Sequence, residues 1–253
     1  MSPLALGLVL SVGIGLSLGL IGGGGSIITV PVLVYALHVP PHRAVGMSLA
    51  VVGSTALVSA LLHHRRGSVA WREGALFAGS GIVSAYLGSK LTRMVSPPGL
   101  MLLFAALMLV VATVMLTRKD RAGGDSPHAA SAPRSALAGL GVGFLTGFLG
   151  VGGGFLIVPS LVLFGGLPMK AAIGTSLLVI AINCAAGLVG HLTAGNSDWK
   201  LTGLVTLLAV AGALAGTALS HRFHPGGLRR VFAWFVVAVA VFLIARNYNA
   251  VFF

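Results

Sequence analysis

Apolar residues fill the chain in ten runs set apart by short polar punctuation, at 4–21, 26–39, 44–62, 74–92, 99–117, 136–150, 155–168, 171–190, 201–219 and 231–246. Several of these runs continue for about 18 residues or more without a charge, the length a helix needs to cross a hydrocarbon core. The pattern predicts an all-α polytopic membrane protein with up to ten hydrophobic segments. One stretch interrupts the series. From Arg118 to Ser135 the chain is rich in Gly, Ser, Pro and Ala and carries Arg118, Lys119, Asp120, Arg121, Asp125 and Arg134. It reads as a solvated linker, giving a first transmembrane repeat at 1–117, a polar linker at 118–134 and a second repeat at 135–253.

The two parts are copies. Gly19-Leu20-Ile21-Gly22-Gly23-Gly24-Gly25-Ser26-Ile27-Ile28-Thr29-Val30-Pro31 returns as Gly147-Phe148-Leu149-Gly150-Val151-Gly152-Gly153-Gly154-Phe155-Leu156-Ile157-Val158-Pro159, at an offset of 128 residues. Residues 19–49 placed on 147–177 without a gap share 13 identities in 31 positions. The same register pairs His63 with His191, Gly67 with Gly195, Trp71 with Trp199, Gly88 with Gly216 and Phe104 with Phe232. Common hydrophobicity makes Leu and Val coincide by chance, but not Gly, Pro, His and Trp together.

Whether the copies are parallel or inverted depends on segment 26–39. Fourteen helical residues span about 21 Å, short of a core roughly 30 Å thick. If the segment crosses, each half has five spans, the halves are inverted, and placing the loops at 63–72 and 118–134 inside leaves 11 basic residues inside and 5 outside. If it is re-entrant, each half has four spans, the halves are parallel, and the count is 9 to 7. Charge leans one way and length the other.

Composition narrows the partners. With 57% hydrophobic and 8% charged residues, the chain lies far from the roughly one-quarter charge of soluble domains. The net charge of +12 follows from Lys and Arg gathered in loops and termini, as the positive-inside bias requires, so the implied partner is the lipid bilayer and not nucleic acid. Cys184 is the single cysteine, which leaves no intrachain disulfide and no Cys-based metal site. Ser2-Pro3 runs straight into an apolar stretch, so no cleavable signal peptide is expected.

Candidate chemistry gathers where the apolar pattern breaks. Gly22, Gly23, Gly24, Gly25 and Ser26, with Gly152, Gly153 and Gly154 in the second half, precede apolar helices and are followed by Pro31 and Pro159, the expected helix breaks. Opened backbone at membrane depth survives only where protein covers it or it lines a wet cavity, and a break repeated in both halves points to a transporter's binding site. Backbone donors at the helix N-termini would favour an anion. Gly46 and Ser48, repeated as Gly174, Thr175 and Ser176, begin the next long helices and add neutral hydroxyl donors, although such hydroxyls also bond back to their own helix. His63 and His191, at matched helix ends, and Asn183, in mid-helix, are further candidates for anion or proton contact; interfacial placement is the plainer reading of the histidines. Trp71 and Trp199 read as interfacial anchors.

Absences discriminate as well. Glu73, Asp120, Asp125 and Asp198 are the only acids, all in loops or at segment ends, so no intramembrane carboxylate relay serves a cation pump or an aspartyl protease. No metal motif, cofactor signature or ATP-cradling loop is present. The expectation is a small anionic substrate moved without enzymatic chemistry; the competing readings are an intramembrane hydrolase using a histidine with a serine, and a non-transporting scaffold. Nothing in one chain fixes whether it forms a homodimer.

Gly-Gly-Gly followed by an apolar run and Pro, then Ala-x-Gly-x-Ser-Leu, once per half, resembles the TauE/SafE family of membrane permeases. Asn183-Cys184-Ala185-Ala186-Gly187 and His191-Leu192-Thr193-Ala194-Gly195-Asn196-Ser197-Asp198-Trp199 are similar to that family's second-half pattern, so the likeness covers nearly the whole chain outside 118–134. The resemblance implies a multi-pass protein of the bacterial inner membrane with about eight helices in two related halves. It also implies transport of sulfite, sulfoacetate or another small organosulfur anion. Carried over by position, the matching residues are Gly22 to Gly25, Pro31, Gly46 and Ser48, then Gly152 to Gly154, Pro159, Gly174, Thr175 and Ser176. Met47 stands opposite Thr175 and Ser26 opposite Gly154, so the half-sites are expected to be unequal.

Overall fold

A computed structural model of the chain describes residues 3–91, 97–117, 132–149, 154–192, 198–220, 222 and 225–252. Among them regular structure is helical only: α1 (Pro3–Ile21), α2 (Gly24–Pro31) leading into a π-helical turn (Val32–Ala36), α3 (Pro41–Arg65), α4 (Trp71–Leu91), α5 (Pro97–Thr117), α6 (Ala132–Leu149), α7 (Gly154–Leu163), α8 (Met169–Leu192), α9 (Trp199–Ser220) and α10 (Pro225–Phe252). Each apolar run of the sequence has become one helix, and the expected all-α polytopic membrane fold is the fold observed. Arg43–Arg65, Met169–Leu188 and Trp199–Ser220 are long and apolar enough to span a bilayer by themselves; Leu6–Ile21, Gly24–Ala36 and Gly154–Leu163 are apolar but shorter. Val9, Leu137, Leu207 and Phe242 lie on the outer surface, as lipid-facing positions do.

Small residues set how the helices run. A methyl group on Gly15 would collide with the Ala209 carbonyl, and one on Gly19 with Ala213 and Thr217. From the other side, Gly212 abuts Val12 and Leu16, and Gly216 abuts Leu16 and Leu20. Numbers rise together, so α1 and α9 are parallel. Gly139 against Phe77 and Gly143 against Gly81 and Ser84 make α4 and α6 parallel in the same way. Close backbone approach through small residues is how membrane helices gain packing without a hydrophobic driving force.

The central pair runs the other way. Gly174 approaches Cβ of His63 (3.1 Å), Gly53 approaches Cβ of Cys184 (2.9 Å) and Gly187 approaches Leu49 (3.3 Å), each measured from the position a Cβ would take on the glycine. As numbers fall on α3 they rise on α8. These two helices are counterparts in the repeat, so the halves are inverted.

Segment 26–39 accounts for the inversion. Gly25 packs on Ile14 and Leu18, while Gly7 near the other end of α1 packs on Leu37. The chain therefore turns back along most of α1 as α2 plus the π turn, and each half has five legs. Its shortness is compensated by irregular continuation. Pro31 supplies no N–H, and the widened turn after it is closed by Leu37 N–H donating to the Val32 carbonyl at 3.1 Å. Val39 N–H then donates to the Leu33 carbonyl at 2.9 Å, beyond His38 at φ 55°. Because α1 packs on α9 and α4 on α6, the halves interlock; they are repeats in sequence but share one core, with Phe155, Ile157, Leu161, Phe232 and Ile14 all buried.

Candidate functional site

The first break is made by glycine alone. α1 ends at Gly22, whose φ of +80° is costly for any residue with a Cβ, and its N–H closes the last turn onto the Leu18 carbonyl at 2.8 Å. Gly23 (φ −153°, ψ −17°) then opens α2, and no side chain caps that helix. Its first-turn N–H groups thus keep the positive end of the helix dipole uncovered by side chains. Ser26, three residues on, turns its hydroxyl back to the Gly23 carbonyl (2.7 Å), and Thr29 turns back to the Gly25 carbonyl (2.7 Å).

The start of α7 meets the start of α2. A methyl on Gly23 would overlap the Gly154 carbonyl, and one on Gly154 would overlap Ser26 Oγ and lie 3.2 Å from Cδ1 of Ile180. Two helix N-termini, one from each half, are therefore in van der Waals contact against the middle of α8. Ser176 ties the first break to the same helix: its hydroxyl contacts the Gly22 carbonyl at 2.9 Å and the Ile173 carbonyl at 2.8 Å.

Polar groups line the interior faces around this point. On α3, Ser48, Thr55, Ser59 and His63 follow one another at spacings that keep them on one stripe, and all are buried. The 128-residue register places Ser176, Asn183, Gly187 and His191 at the corresponding positions of α8. Thr55 and Asn183 are thus equivalent and sit beside the α3–α8 crossing at Gly53 and Cys184. Thr55 Oγ1, Ser59 Oγ and Asn183 Oδ1 are buried and have no hydrogen-bond partner. Ser17 Oγ is a fourth such atom; it lies 2.5 Å from where a Cβ on Gly24 would stand, at the head of α2.

Not every sequence candidate joins this centre. Ser48 returns its hydroxyl to the Val45 carbonyl at 2.8 Å, a bond within its own helix. Thr175 accepts the Ala70 N–H at 2.9 Å and so closes the α3–α4 turn, where Gly174 gives room for Ser68 and His63. Gly46 is half-buried near the start of α3. Pro159 lies inside α7 and does not interrupt it, while Pro31 is the last residue of α2, where the α-helix passes into the π-helical turn. The interruption is at Gly22 and Gly23, where Gly22 turns to a positive φ of 80° and Gly23, at φ −153°, stands outside both α1 and α2. Gly152 and Gly153 lie outside the described residues, as does most of the linker, and His191 is described only as part of α8. Trp71 donates Nε1–H to Nδ1 of the exposed His64 at 2.8 Å, bracing the turn. Asp198 accepts the N–H groups of Lys200 and Leu201 at 3.1 Å and so caps α9.

Sequence reasoning missed Ser17, Thr55 and Ser59. Thr55 was recoverable, since the repeat register already placed it on Asn183. Ser17 carried no signal: its register partner, Leu145, is apolar. Among the described residues no group of His, Cys, Asp and Glu could hold a metal ion.

Comparison with known proteins agrees with this architecture. Residues 7–243 match the family model for the sulfite exporter TauE/SafE. A probable membrane transporter protein of Xylella fastidiosa (strain 9a5c) is 36% identical over 251 residues, covering 93% of this chain and 92% of that one. The probable membrane transporter protein YdhB of Bacillus subtilis is 29% identical over 212 residues, covering 82% and 86%. A probable membrane transporter protein of Methanocaldococcus jannaschii is 22% identical over 257 residues, covering 95% and 96%. No solved structure matches the chain significantly. The chain belongs to the sulfite exporter TauE/SafE family of membrane transporters.

Proposed function

We propose that this TauE/SafE family member is a secondary transporter for a small oxyanion, sulfite or an organosulfonate such as sulfoacetate, in the bacterial inner membrane. The observation that carries the reading is the contact between the N-termini of α2 and α7, Gly23 against Gly154, in the middle of an apolar bundle. Each terminus contributes about +0.5 of a unit charge, and the two come from opposite halves. The buried Ser17 hydroxyl lies at the head of α2 without a hydrogen-bond partner, and Thr55 and Ser59 carry further unpartnered hydroxyls on the buried stripe of α3. Such an arrangement binds an anion without burying a fixed cation, whose desolvation would cost several kcal/mol or more. The family model and the relatives' names support transport; the sulfur oxyanion rests on the family description alone.

Inverted halves suit alternating access, because the same interface can open to either side when one repeat rocks against the other. The positive-inside bias favours an orientation with the α3–α4 turn, which carries Arg65, Arg66 and Arg72, on the cytoplasmic side. Ser176, Thr55 and Ser59 are buried, so on this reading the halves must part for a ligand to reach them. The test is efflux of labelled sulfite and sulfoacetate from proteoliposomes. Wild type should release them faster than empty vesicles, and Gly23→Leu, which forces the α2 and α7 termini apart, should not. Equal release by Gly23→Leu and wild type would overturn the site.

A further inference from the structure

The charge of the site can be counted more closely than its name, and this inference rests on the oxyanion reading above. α1, α2 and α7 carry no ionisable side chain within their described spans. On α3 the permanent charges are Arg43 and Arg65, in the first and last turns, and on α8 the only one is Lys170, in the first turn. None is on the stretches that meet at the break. The positive potential there comes from two helix N-termini, about half a unit charge each and about one together. The donors available to complete a ligand's shell are neutral: Ser17 Oγ at the head of α2, and Thr55 Oγ1 and Ser59 Oγ on α3. Ser17 is 8% exposed and Thr55 and Ser59 are 0% exposed, so these are interior groups whose partner must be a ligand or water.

We infer that the site takes one singly charged oxyanion head, held between the uncapped start of α2, Ser17 and Thr55, and that it discriminates against divalent anions. Two half-charges balance one negative charge. A second one would be buried without a counterion, and an uncompensated buried charge is among the costliest groups a protein interior can hold. Among the sulfur oxyanions this selects hydrogensulfite and simple monosulfonates. It places sulfate, which carries both charges on one head, among the poorer ligands. Neutral hydroxyl donors serve this selectivity because they satisfy oxygens without adding charge.

The experiment compares binding of methanesulfonate and of sulfate to the detergent-purified full-length protein by isothermal titration at fixed ionic strength. Methanesulfonate keeps a single charge across the working pH range, and sulfate keeps two. Methanesulfonate should bind at least tenfold more tightly. Equal affinity, or tighter binding of sulfate, would overturn the charge inference while leaving an oxyanion transporter in place; binding of neither would overturn both readings. Thr55→Val serves as the second arm. Its melting temperature without ligand should stay level or rise, because an unpaired buried hydroxyl is replaced by an isosteric methyl, while methanesulfonate affinity should fall about tenfold. Thr55→Ser should restore the affinity. A purely structural Thr55 would instead lower the melting temperature of Thr55→Val and leave the affinity unchanged, and that result would remove it from the site.

Discussion

Glycine has two different jobs in this bundle, and comparing them shows what identifies a site. Along α1–α9 and α4–α6, Gly15, Gly19, Gly212, Gly216, Gly139 and Gly143 lie inside regular helices with a neighbouring backbone where a Cβ would be. They allow close approach of neighbouring helices. At the break, Gly22 has a positive φ, Gly23 starts a helix that no side chain caps, and unpaired buried hydroxyls lie nearby. Glycine frequency is the same signal in both regions. The distinguishing features are an open helix terminus and polar groups awaiting a partner.

The largest effect should come from the packing class. Gly212→Ala drives a methyl into the Val12 carbonyl and the Leu16 N–H, backbone atoms that cannot rotate away. A loss of about 3 kcal/mol or more is expected, seen as failure to accumulate folded protein in detergent extracts. Gly24→Ala belongs to the other class. Its new methyl meets Ser17 Oγ and the Phe235 ring, both side chains able to shift, so the protein should fold and lose anion binding. If Gly24→Ala were as poorly expressed as Gly212→Ala, the distinction between the two classes would fail.

Smaller effects sharpen the comparison within the hydroxyls. Ser176→Ala removes the bond between α8 and the Gly22 carbonyl; about 1 kcal/mol of stability and a clear fraction of transport should be lost, measured by thermal melting and vesicle efflux. Thr175→Val frees the Ala70 N–H at the α3–α4 turn, so a similar loss of stability should leave transport per folded molecule unchanged. Ser48→Ala removes only a bond to its own helix, and a change within about 0.5 kcal/mol is expected, with normal efflux.

The sequence made most of the architecture legible because lipid imposes long apolar runs and the repeat doubled every signal. Ten apolar runs became ten helices, and the break fell where Gly22 and Gly23 stand. The direction of the repeats did not follow from length. Segment 26–39 is too short for a regular span, and only the packing of Gly25 on Leu18 and Gly7 on Leu37 shows that it travels back along α1. Prolines were weighted as breaks because they lack an N–H. In lipid, however, Pro31 is absorbed by a wider turn, and Pro159 stays within α7. Ser48 and Thr175 looked like ligands because they repeat; their nearest acceptor or donor is backbone, which local spacing does not reveal. Ser17 became visible only when α2 folded back against it.

The central claim is that an anion binds where the α2 and α7 N-termini meet. Thermal melting of the purified protein with methanesulfonate, in wild type and in Gly24→Ala, tests it most directly. At about 100 times its Kd a ligand adds roughly 2.7 kcal/mol to the folded state, a readily measured rise in melting temperature. The expected result is that rise in wild type and its absence in a folded Gly24→Ala. An equal rise in both proteins would place the anion elsewhere and contradict the account.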